Sequence, residues 1–596
     1  MEKTINHKRK TPILAELRQL FAIDLRSLAL FRILIALAVI ANVITLLPNL
    51  GAFLVEDGLF TRSHAVGNRS AHFFSLYYLS GATWYTGLLL LSTLGAGLAL
   101  LFGFRTRIAT VVTWILVVSL TNRISIIGYG GDMQLCVLLF WAMFLPLGAR
   151  FSVDAALAEE PSDNRYFSVA SLAILLQVLY LYFIGALLKN GSFWVESFDA
   201  VYYALTSVQV SSPLAAGLAT FPSLMIGLST YVYFLELLAI VFLFFPVIFQ
   251  YTRAFVLPQL VAMHLGFAAL LTVGLFPLIS IAGLMLFVPA LFWDRLLPWW
   301  NGRRARTGIK IYYDQDCGFC YKTCLIFRAL ALPATTPILK AQEHEASNRI
   351  LEEEGSWSVL AHNGRYLSRW AAVAYLWRRS PLLWPLGVLF ALPPMTHCGN
   401  GLYQLIARNR PAMGRFTSCV IPFRKTAIFY PRRLTTVALT ILVILVYGWN
   451  IETVRQESLV PDKVKALLST LRLTQHWNMF APQPVHVSRW VVVEGVVASG
   501  RTIDLLRGED GAPSHDKPRH GYQAFPSQRW RKYYDRVDLT AQRDTLGSYY
   551  CRRAIAAGYD DIQAVAIYKY RLPTPKPGDP TLDAPRLTEH MAYDCQ

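Results

Sequence analysis

Long apolar segments recur along this chain of 596 residues. Eight of them reach the roughly 17 to 25 residues that a helix needs to cross a bilayer. They lie at 27–48, 84–103, 108–126, 168–188, 223–246, 254–274, 276–293 and 434–450, and a shorter one lies at 133–148. With 54% hydrophobic and 16% charged residues, the chain is also more apolar than a soluble chain of several domains. The sequence therefore predicts a polytopic α-helical membrane bundle of about nine spans.

The distribution of Lys and Arg predicts the topology, because cytoplasmic loops are enriched in both. If the basic N-terminus lies inside, the loops that carry Arg105, Arg150 and Arg253 are cytoplasmic, whereas the external loops 127–132 and 189–222 are nearly free of Lys and Arg. We expect a multi-pass protein of a bacterial inner membrane. The formal net charge of +18 is thus first a topology signal. Nucleic-acid binding is disfavoured because no basic run is interleaved with aromatic residues on one soluble face.

This topology divides the chain into five regions. They are a cytoplasmic N-terminal segment at 1–24, a membrane domain of about eight spans at 25–300, a cytoplasmic domain at 301–433, a final transmembrane helix at 434–450 and a periplasmic domain at 451–596. The last domain is predicted to be β-rich and soluble, because its apolar and polar residues alternate at 490–497 and 564–570. Its cysteines are Cys551 and Cys595. An oxidising compartment favours a disulfide between them, while their spacing leaves the pairing open.

A Cys-x-x-Cys motif at Cys317 and Cys320 follows a short β-type run and opens a helix. The free N–H groups and dipole of a helix N-terminus lower the pKa of a thiol placed there. The motif therefore indicates Cys317 as a nucleophile and Cys320 as the resolving thiol. Half of a zinc site and a pair of ordinary thiols are the alternatives, although a second Cys-x-x-Cys is absent and we predict no metal. Cys324 fits either a second resolving thiol or a core side chain.

Four ionisable side chains lie in or beside the predicted spans, where they are energetically costly and often functional. They are Asp132, Lys189, Glu236 and His264. Glu236 and His264 lie near the middle of their spans, and we expect them to face each other. An interhelical hydrogen bond explains them as well as catalysis does. Lys189 lies at the outer edge of its span, where the sequence favours a side chain that snorkels to the interface.

Two short motifs in the predicted cytoplasmic domain at 301–433 are similar to those of a known family. They are Tyr-Asp-Gln-Asp-Cys-Gly-Phe-Cys at 313–320 and Leu-Tyr-Gln-Leu-Ile-Ala-Arg-Asn-Arg at 402–410. Together they make residues 308–415 resemble the DCC family of thiol-disulfide oxidoreductases. The resemblance implies an inserted α/β thioredoxin-like domain with Cys317 and Cys320 as its catalytic pair. Gly364 suits the hairpin turn that such a sheet needs.

The segment 182–194 reads Tyr-Phe-Ile-Gly-Ala-Leu-Leu-Lys-Asn-Gly-Ser-Phe-Trp. It is similar to the segment of vitamin K-dependent γ-carboxylase that carries the catalytic lysine, and Lys189 falls on that lysine. The wider HTTM membrane domain also shows counterparts of Phe31-Arg32, Gly130-Gly131-Asp132, Glu236 and His264-Leu265. The resemblance covers about 20–295.

The carboxylase resemblance implies a lysine base beside a reduced quinone, and hence a menaquinone-like quinone as cofactor. Asp132, Glu236 and His264 are then candidate residues for binding the substrate or quinone. The carboxylase has a functional histidine near the position of Gly131 or Asp132, so this chain departs from the carboxylase pattern there. Residues 475–484 resemble a further element found after bacterial HTTM domains. Its Trp477 and Phe480 are expected to pack against the bundle.

Three functions fit these observations. The first is a membrane-bound thiol-disulfide oxidoreductase whose bundle binds a quinone-like or lipid molecule near Lys189. The second is carboxylase-like modification of an exported polypeptide, and the third is a non-catalytic scaffold or a small-molecule transporter. Expected partners are the lipid bilayer and an exported polypeptide or thiol protein, while the oligomeric state is open. Because the charge asymmetry separates Cys317 from Lys189, we expect two centres.

Overall fold

The computed structural model describes residues 18–67, 69, 72–380, 383–579 and 584–595. Residues 1–17, which hold most of the predicted N-terminal segment, lie outside the described residues. The described chain forms a helical bundle, an α/β domain inserted before the last bundle helix, and a C-terminal domain built on a sheet. This is the predicted fold class.

The bundle consists of helices whose residues are apolar on nearly every side, as expected for helices packed in a membrane. Its helices are α1 (Leu25–Leu46), α2 (Thr83–Phe102), α3 (Thr106–Arg123), α4 (Gly130–Ala142), α5 (Val169–Leu188), α6 (Pro222–Leu243), α7 (Phe249–Leu270), α8 (Phe276–Leu284), α9 (Ala290–Asn301) and, after the inserted domain, α16 (Arg433–Arg455). Short helices lie in the loops at Leu50–Phe53, Arg62–Gly67, Val153–Ala156, Ser192–Val195, Ala200–Thr206 and Ala215–Ala219.

Six of the described helices are long and apolar enough to cross a membrane, namely α1 continued to Phe53, α2, α5, α6, α7 and α16. A pair bent by 96°, Phe276–Phe287 followed by α9, would be a seventh. The expected count of about nine spans is therefore too high by this measure. The predicted span at 108–126 corresponds to α3, which is polar at its ends through Arg107, Asn122 and Arg123. The segment at 133–148 corresponds to α4, which has 13 residues.

The inserted domain contains a sheet of four strands, β1 (Lys310–Tyr313), β2 (Ile338–Lys340), β3 (Ser358–Leu360) and β4 (Tyr366–Ser368), in the order β2-β1-β3-β4. β1 is parallel to β2 and antiparallel to β3, and β3 pairs antiparallel with β4. Gly364 has a φ of +82° in the β3–β4 hairpin, as predicted. The helices are α10 (Gly318–Ala331), α11 (Glu345–Glu354), α12 (Arg369–Arg379), α13 (Trp384–Phe390), α14 (Pro393–Arg408) and α15 (Arg410–Val420).

The C-terminal domain contains an antiparallel sheet of five strands in the order β9-β8-β5-β6-β7. The strands are β5 (Val487–Val497), β6 (Thr502–Asp504), β7 (Glu509–Asp510), β8 (Ile562–Pro573) and β9 (Arg586–Asp594). The segments predicted as strands lie in β5 and β8, which pair Val493 with Ile567. The domain also contains α17 (Asp462–Thr470), α18 (Gln528–Arg536) and α19 (Arg543–Ala556), which the β-rich prediction did not include. A disulfide joins Cys551 of α19 to Cys595 after β9.

The two smaller domains contact opposite ends of the bundle. In the C-terminal domain, Trp530 Nε1 donates to Asn49 Oδ1 at 2.9 Å, just beyond the end of α1. In the inserted domain, the carbonyl oxygen of Val420 accepts a hydrogen bond of 3.0 Å from Arg105 Nε, between α2 and α3. Helix α5 runs between these ends, and its 20 residues correspond to a length of about 30 Å.

Candidate functional sites

Cys317 lies at the N-terminus of α10, directly after the turn that follows β1. It is the N-cap residue of that helix, and its sulfur accepts a hydrogen bond of 3.3 Å from the backbone N–H of Cys320. The first N–H groups of a helix have no partner within the helix, so a side chain at the N-cap is well placed to accept from them. The Cys-x-x-Cys spacing thus places one sulfur at the helix N-terminus and the other in its first turn.

The two thiols of the motif have pKa values shifted in opposite directions. A hydrogen bond with the Cys320 side chain lowers the pKa of Cys317 to about 6, against the opposing effect of burial. The backbone N–H of Cys320 and the charge of Arg410 lower it further. The same side-chain hydrogen bond, together with burial, raises the pKa of Cys320. At neutral pH, Cys317 is therefore the thiolate and Cys320 the thiol, as a nucleophile and its resolving partner require.

Arg410 connects the two ends of the inserted domain's motif. Its Nη1 lies 3.2 Å from Asp314 Oδ2, which joins the 402–410 element to the 313–320 element. Cys324, in contrast, is 1% exposed and belongs to an apolar core with Ile311 and Val359. Burial raises its pKa. These observations favour a core side chain over a second resolving thiol.

A cavity of about 750 Å³ lies in the bundle at the end that the C-terminal domain covers. Side chains of α5, α6 and α7 line it, together with the first turn of α4, residues 476–480 and part of α18. This volume is typical of a pocket for a small molecule. The four ionisable residues singled out in the sequence, Asp132, Lys189, Glu236 and His264, all line this one cavity.

Lys189 and Glu236 form a buried ion pair across the cavity wall. Lys189 directly follows α5, and its ammonium contacts the carboxylate of Glu236 on α6. The two residues are 5% and 6% exposed. Lys189 Nζ also lies 4.8 Å from the centre of the Trp194 ring, within the range of a cation–π interaction. The snorkelling interpretation is therefore wrong, because a buried acid and an aromatic ring supply the partners that water would otherwise provide.

His264 is hydrogen bonded to Tyr182, whose hydroxyl lies 2.8 Å from its Nε2. Glu236 and His264 thus line the same cavity, but they do not bond to each other. Glu236 pairs with Lys189, just after α5, and His264 bonds to Tyr182 of α5. Tyr182 and Lys189 are seven residues apart, which places them on one face of α5 two turns apart. The Nδ1 atom of His264 is buried without a hydrogen-bond partner among the described residues.

Two family models match the chain. Residues 21–292 match the HTTM domain, and residues 311–416 match the DCC1-like thiol-disulfide oxidoreductase. The chain joins an HTTM domain to a DCC1-like domain. Both matches agree with the boundaries expected from the motifs. No curated protein and no solved structure matches the chain.

Asp132 of the HTTM domain anchors the C-terminal domain. Its Oδ1 accepts a hydrogen bond of 2.8 Å from Arg529 Nη2, and its second oxygen also contacts the guanidinium. Arg529 Nη2 donates to Asn42 Oδ1 on α1 as well, at 3.0 Å. Although Asp132 lines the cavity, its carboxylate is engaged in this contact between domains.

The 475–484 element forms one wall of the HTTM cavity. Trp477 is buried in the bundle core, as expected, and donates its Nε1 hydrogen to Gln475 Oε1 at 2.9 Å. The carbonyl oxygen of Phe480 accepts a hydrogen bond of 2.8 Å from Trp194 Nε1. Since Trp194 lies against Lys189, this element fixes an aromatic neighbour of the lysine.

Several cavity residues were not singled out in the sequence. Tyr182 and Trp194 lie within the 182–194 segment, and the seven-residue spacing of Tyr182 from Lys189 is a signal that could have identified it. The cavity-lining cations of α18, Arg531, Lys532 and Arg536, gave no such signal. Neither did Arg529, which binds Asp132. The approach of α18 to the HTTM domain depends on how distant parts of the chain pack.

The DCC1-like cysteines and the HTTM cavity lie toward opposite ends of the bundle and share no residues. Cys317 and Cys320 belong to the domain that contacts the α2–α3 loop, whereas Lys189 lies at the end covered by the C-terminal domain. In the described ranges, no group of three or more His, Cys, Asp or Glu side chains is arranged to hold a metal ion.

Proposed function

We propose that the protein is a membrane-bound thiol-disulfide oxidoreductase. The Cys317 thiolate attacks a disulfide of a partner protein, forms a mixed disulfide and releases one partner thiolate. Cys320 then attacks the Cys317 sulfur, releases the second partner thiolate and leaves a Cys317–Cys320 disulfide. The observation that carries this proposal is the position of Cys317 at the N-cap of α10, where its sulfur accepts a hydrogen bond from the backbone N–H of Cys320. The opposite directions of the two thiol pKa shifts agree with it.

The test uses the reduced full-length protein in a neutral detergent and a small disulfide-bonded protein as substrate. We expect exchange in the wild type and its loss in Cys317→Ser. Cys320→Ser should accumulate the mixed disulfide, because the resolving thiol is absent. Cys419→Ser is the matched control, since Cys419 is an exposed thiol of the same domain. Exchange that continues in Cys317→Ser would show that the motif is not the redox centre.

We also propose that the HTTM cavity binds a quinone-like or lipid molecule near Lys189. The supporting observation is an apolar cavity whose wall contains the Lys189–Glu236 and Tyr182–His264 pairs. Mass spectrometry of small molecules that co-purify with the full-length protein tests this proposal. A bound menaquinone or lipid, lost after a bulky substitution such as Ala204→Trp on the cavity wall, is the expected result. Identical co-purifying molecules in both proteins would contradict it.

Carboxylase-like modification of an exported polypeptide is the alternative for this cavity. It requires Lys189 to act as a free amine, whereas the Lys189 side chain is in contact with the Glu236 carboxylate. The alternative predicts a bicarbonate-dependent mass increase of a secreted polypeptide that is lost in Lys189→Ala.

We further place the DCC1-like domain in the bacterial cytoplasm and the C-terminal domain in the periplasm. The charge asymmetry of the loops supports this orientation. The Cys551–Cys595 disulfide supports it as well, since disulfides persist in oxidising compartments.

A further inference from the structure

The HTTM cavity has an excess of positive charge where it meets the C-terminal domain. Its acidic lining residues are Asp132 and Glu236, and both are already in ion pairs. Four further cations line the same cavity, namely Arg472, Arg531, Lys532 and Arg536. Within the described chain, none of these four forms an ion pair with an acid, so their charge is not neutralised by a direct contact.

Arg531 is the most deeply buried cation of α18 without an acidic partner. It is 7% exposed, and its Nε is buried without a hydrogen-bond partner in the described part of the structure. The carboxylate of the exposed Asp535, on the same helix, attracts the Arg531 guanidinium electrostatically but forms no ion pair with it. Burial lowers the pKa of Arg531. A buried cation without a partner is costly, and an anion bound beside it would offset that cost.

Two further cations of α18, Lys532 and Arg536, lie near Arg531. Arg536 Nη1 donates to the carbonyl oxygens of Ser125 and Ile126 at 3.0 and 2.8 Å. Lys532 precedes Arg536 by four residues on α18, a spacing at which like charges destabilise a helix. Burial lowers the pKa of Lys532 to about 8. Positive charge is thus concentrated along α18, and Arg531 and Lys532 have no acidic partner in direct contact among the described residues.

Another part of the cavity reaches the lipid-facing surface between α6 and α7. Tyr231 of α6 and Ala262 of α7 line the cavity and are exposed. The Tyr231 hydroxyl donates to Gln259 Oε1 at 2.8 Å across this seam. Exposed apolar residues surround the seam, among them Phe234 and Phe255. This seam is therefore the part of the cavity wall best suited to an apolar chain from the surrounding lipid.

We propose that the HTTM cavity binds a lipid with an anionic head group. The head group, a phosphate or a carboxylate, lies against Arg531 and Lys532, and an apolar chain lies toward the α6–α7 seam. This inference rests on the proposal that the cavity is a ligand site, and it specifies the class of ligand. A neutral quinone alone would leave the four cations without a counter-charge.

The test measures lipid binding and thermal unfolding of the full-length protein in a neutral detergent. The probes are phosphatidylglycerol and phosphatidylcholine with identical acyl chains. Native mass spectrometry should show binding of phosphatidylglycerol at least about tenfold tighter than that of phosphatidylcholine, because charge-assisted hydrogen bonds are strong in a buried site. Only phosphatidylglycerol should raise the melting temperature.

The variant Arg531→Gln/Lys532→Gln should lose this preference and this stabilisation, while its melting temperature without lipid should equal or exceed that of the wild type. The control Arg571→Gln/Lys576→Gln removes the same two charges from exposed positions of the same domain and should bind like the wild type. Equal binding of both lipids, or an equal loss in the control, would overturn the proposal. So would a stabilisation by inorganic phosphate as large as that by phosphatidylglycerol. Binding of menaquinone without a preference for phosphatidylglycerol would overturn this inference alone, and leave the ligand cavity standing.

Discussion

At the scale of single residues, the position of Cys317 at the start of α10 determines its chemistry. Because the reactive form is the thiolate, alkylation by iodoacetamide should follow the pKa of about 6. We predict a rate that is nearly constant above pH 7 and falls about tenfold for each pH unit below that pKa, since the thiolate fraction falls by that factor. Mass spectrometry of the peptide that contains Cys317 measures the rate. A midpoint above pH 8 would contradict the proposed stabilisation of the thiolate.

Lys189 and Glu236 are predicted to stabilise the bundle only as a pair. Lys189→Met alone leaves a buried carboxylate without its partner, which should cost about 3–5 kcal/mol. Glu236→Leu alone leaves the buried ammonium of Lys189 without its partner and should also lower the stability of the bundle. The double variant Lys189→Met/Glu236→Leu should unfold closer to the wild-type temperature, because no unpaired charge is left in the cavity wall. Thermal unfolding of all four proteins in one detergent measures this coupling, and strictly additive losses would contradict it.

The sequence identifies Lys189, Glu236 and His264 because ionisable groups in apolar segments are conspicuous. Their partners were predicted less well. The sequence suggested that Glu236 faces His264, whereas the structure pairs each with a residue of α5 or its end. The choice of partner depends on how α5, α6 and α7 rotate against one another, and helix rotation is set by packing that a linear pattern does not contain.

At the scale of elements, β5 and β8 were predictable because both are long segments rich in β-branched and aromatic residues. Helix α18 was not predictable in this way. Its buried face includes Trp530, Tyr533 and Tyr534, and aromatic residues have a propensity for strands. Its helical state depends on contact with the bundle, where Trp530 packs on Phe53 with ring centres 5.0 Å apart. Tertiary contacts thus override a local preference.

Helix α18 should dock on the HTTM domain mainly through Arg529. We predict that Arg529→Met destabilises this contact by about 3–5 kcal/mol, because Asp132 is left buried and unpaired. Limited proteolysis of the C-terminal domain and the melting temperature measure the effect. Asp132→Asn in the same chain should restore much of the lost stability by removing the unpaired charge.

Arg552→Met is the matched control for this experiment. Arg552 also connects a helix of the C-terminal domain to a bundle loop, through a hydrogen bond of 2.9 Å to the carbonyl oxygen of Asp57, but it is exposed. An exposed contact of this kind contributes little. Equal protease sensitivity of the Arg529→Met and Arg552→Met variants would contradict the anchoring role of Arg529.

At the scale of the whole molecule, the sequence predicted the order of the domains better than it predicted the spans or the contacts between distant parts of the chain. Of the nine apolar segments, fewer give helices that meet the length and hydropathy expected of a span, because α4 is short and α3 has polar ends. The order of domains along the chain was predictable, since apolar and polar regions alternate clearly. The sequence did not predict that residues 476–480 and α18 together close the HTTM cavity. These parts of the chain are more than 300 residues from α4, which also lines the cavity.

The contacts at opposite ends of the bundle predict that the DCC1-like and C-terminal domains lie on opposite sides of the membrane. A membrane-impermeant maleimide tests this in sealed vesicles. Cys419 is an exposed thiol of the DCC1-like domain, and Tyr522→Cys would introduce one at a position of the C-terminal domain that is 59% exposed. In right-side-out vesicles we expect labelling of Tyr522→Cys and protection of Cys419, with the reverse in inverted vesicles. Reversed patterns would contradict the charge-based orientation, whereas labelling of both from one side would contradict the opposite placement itself.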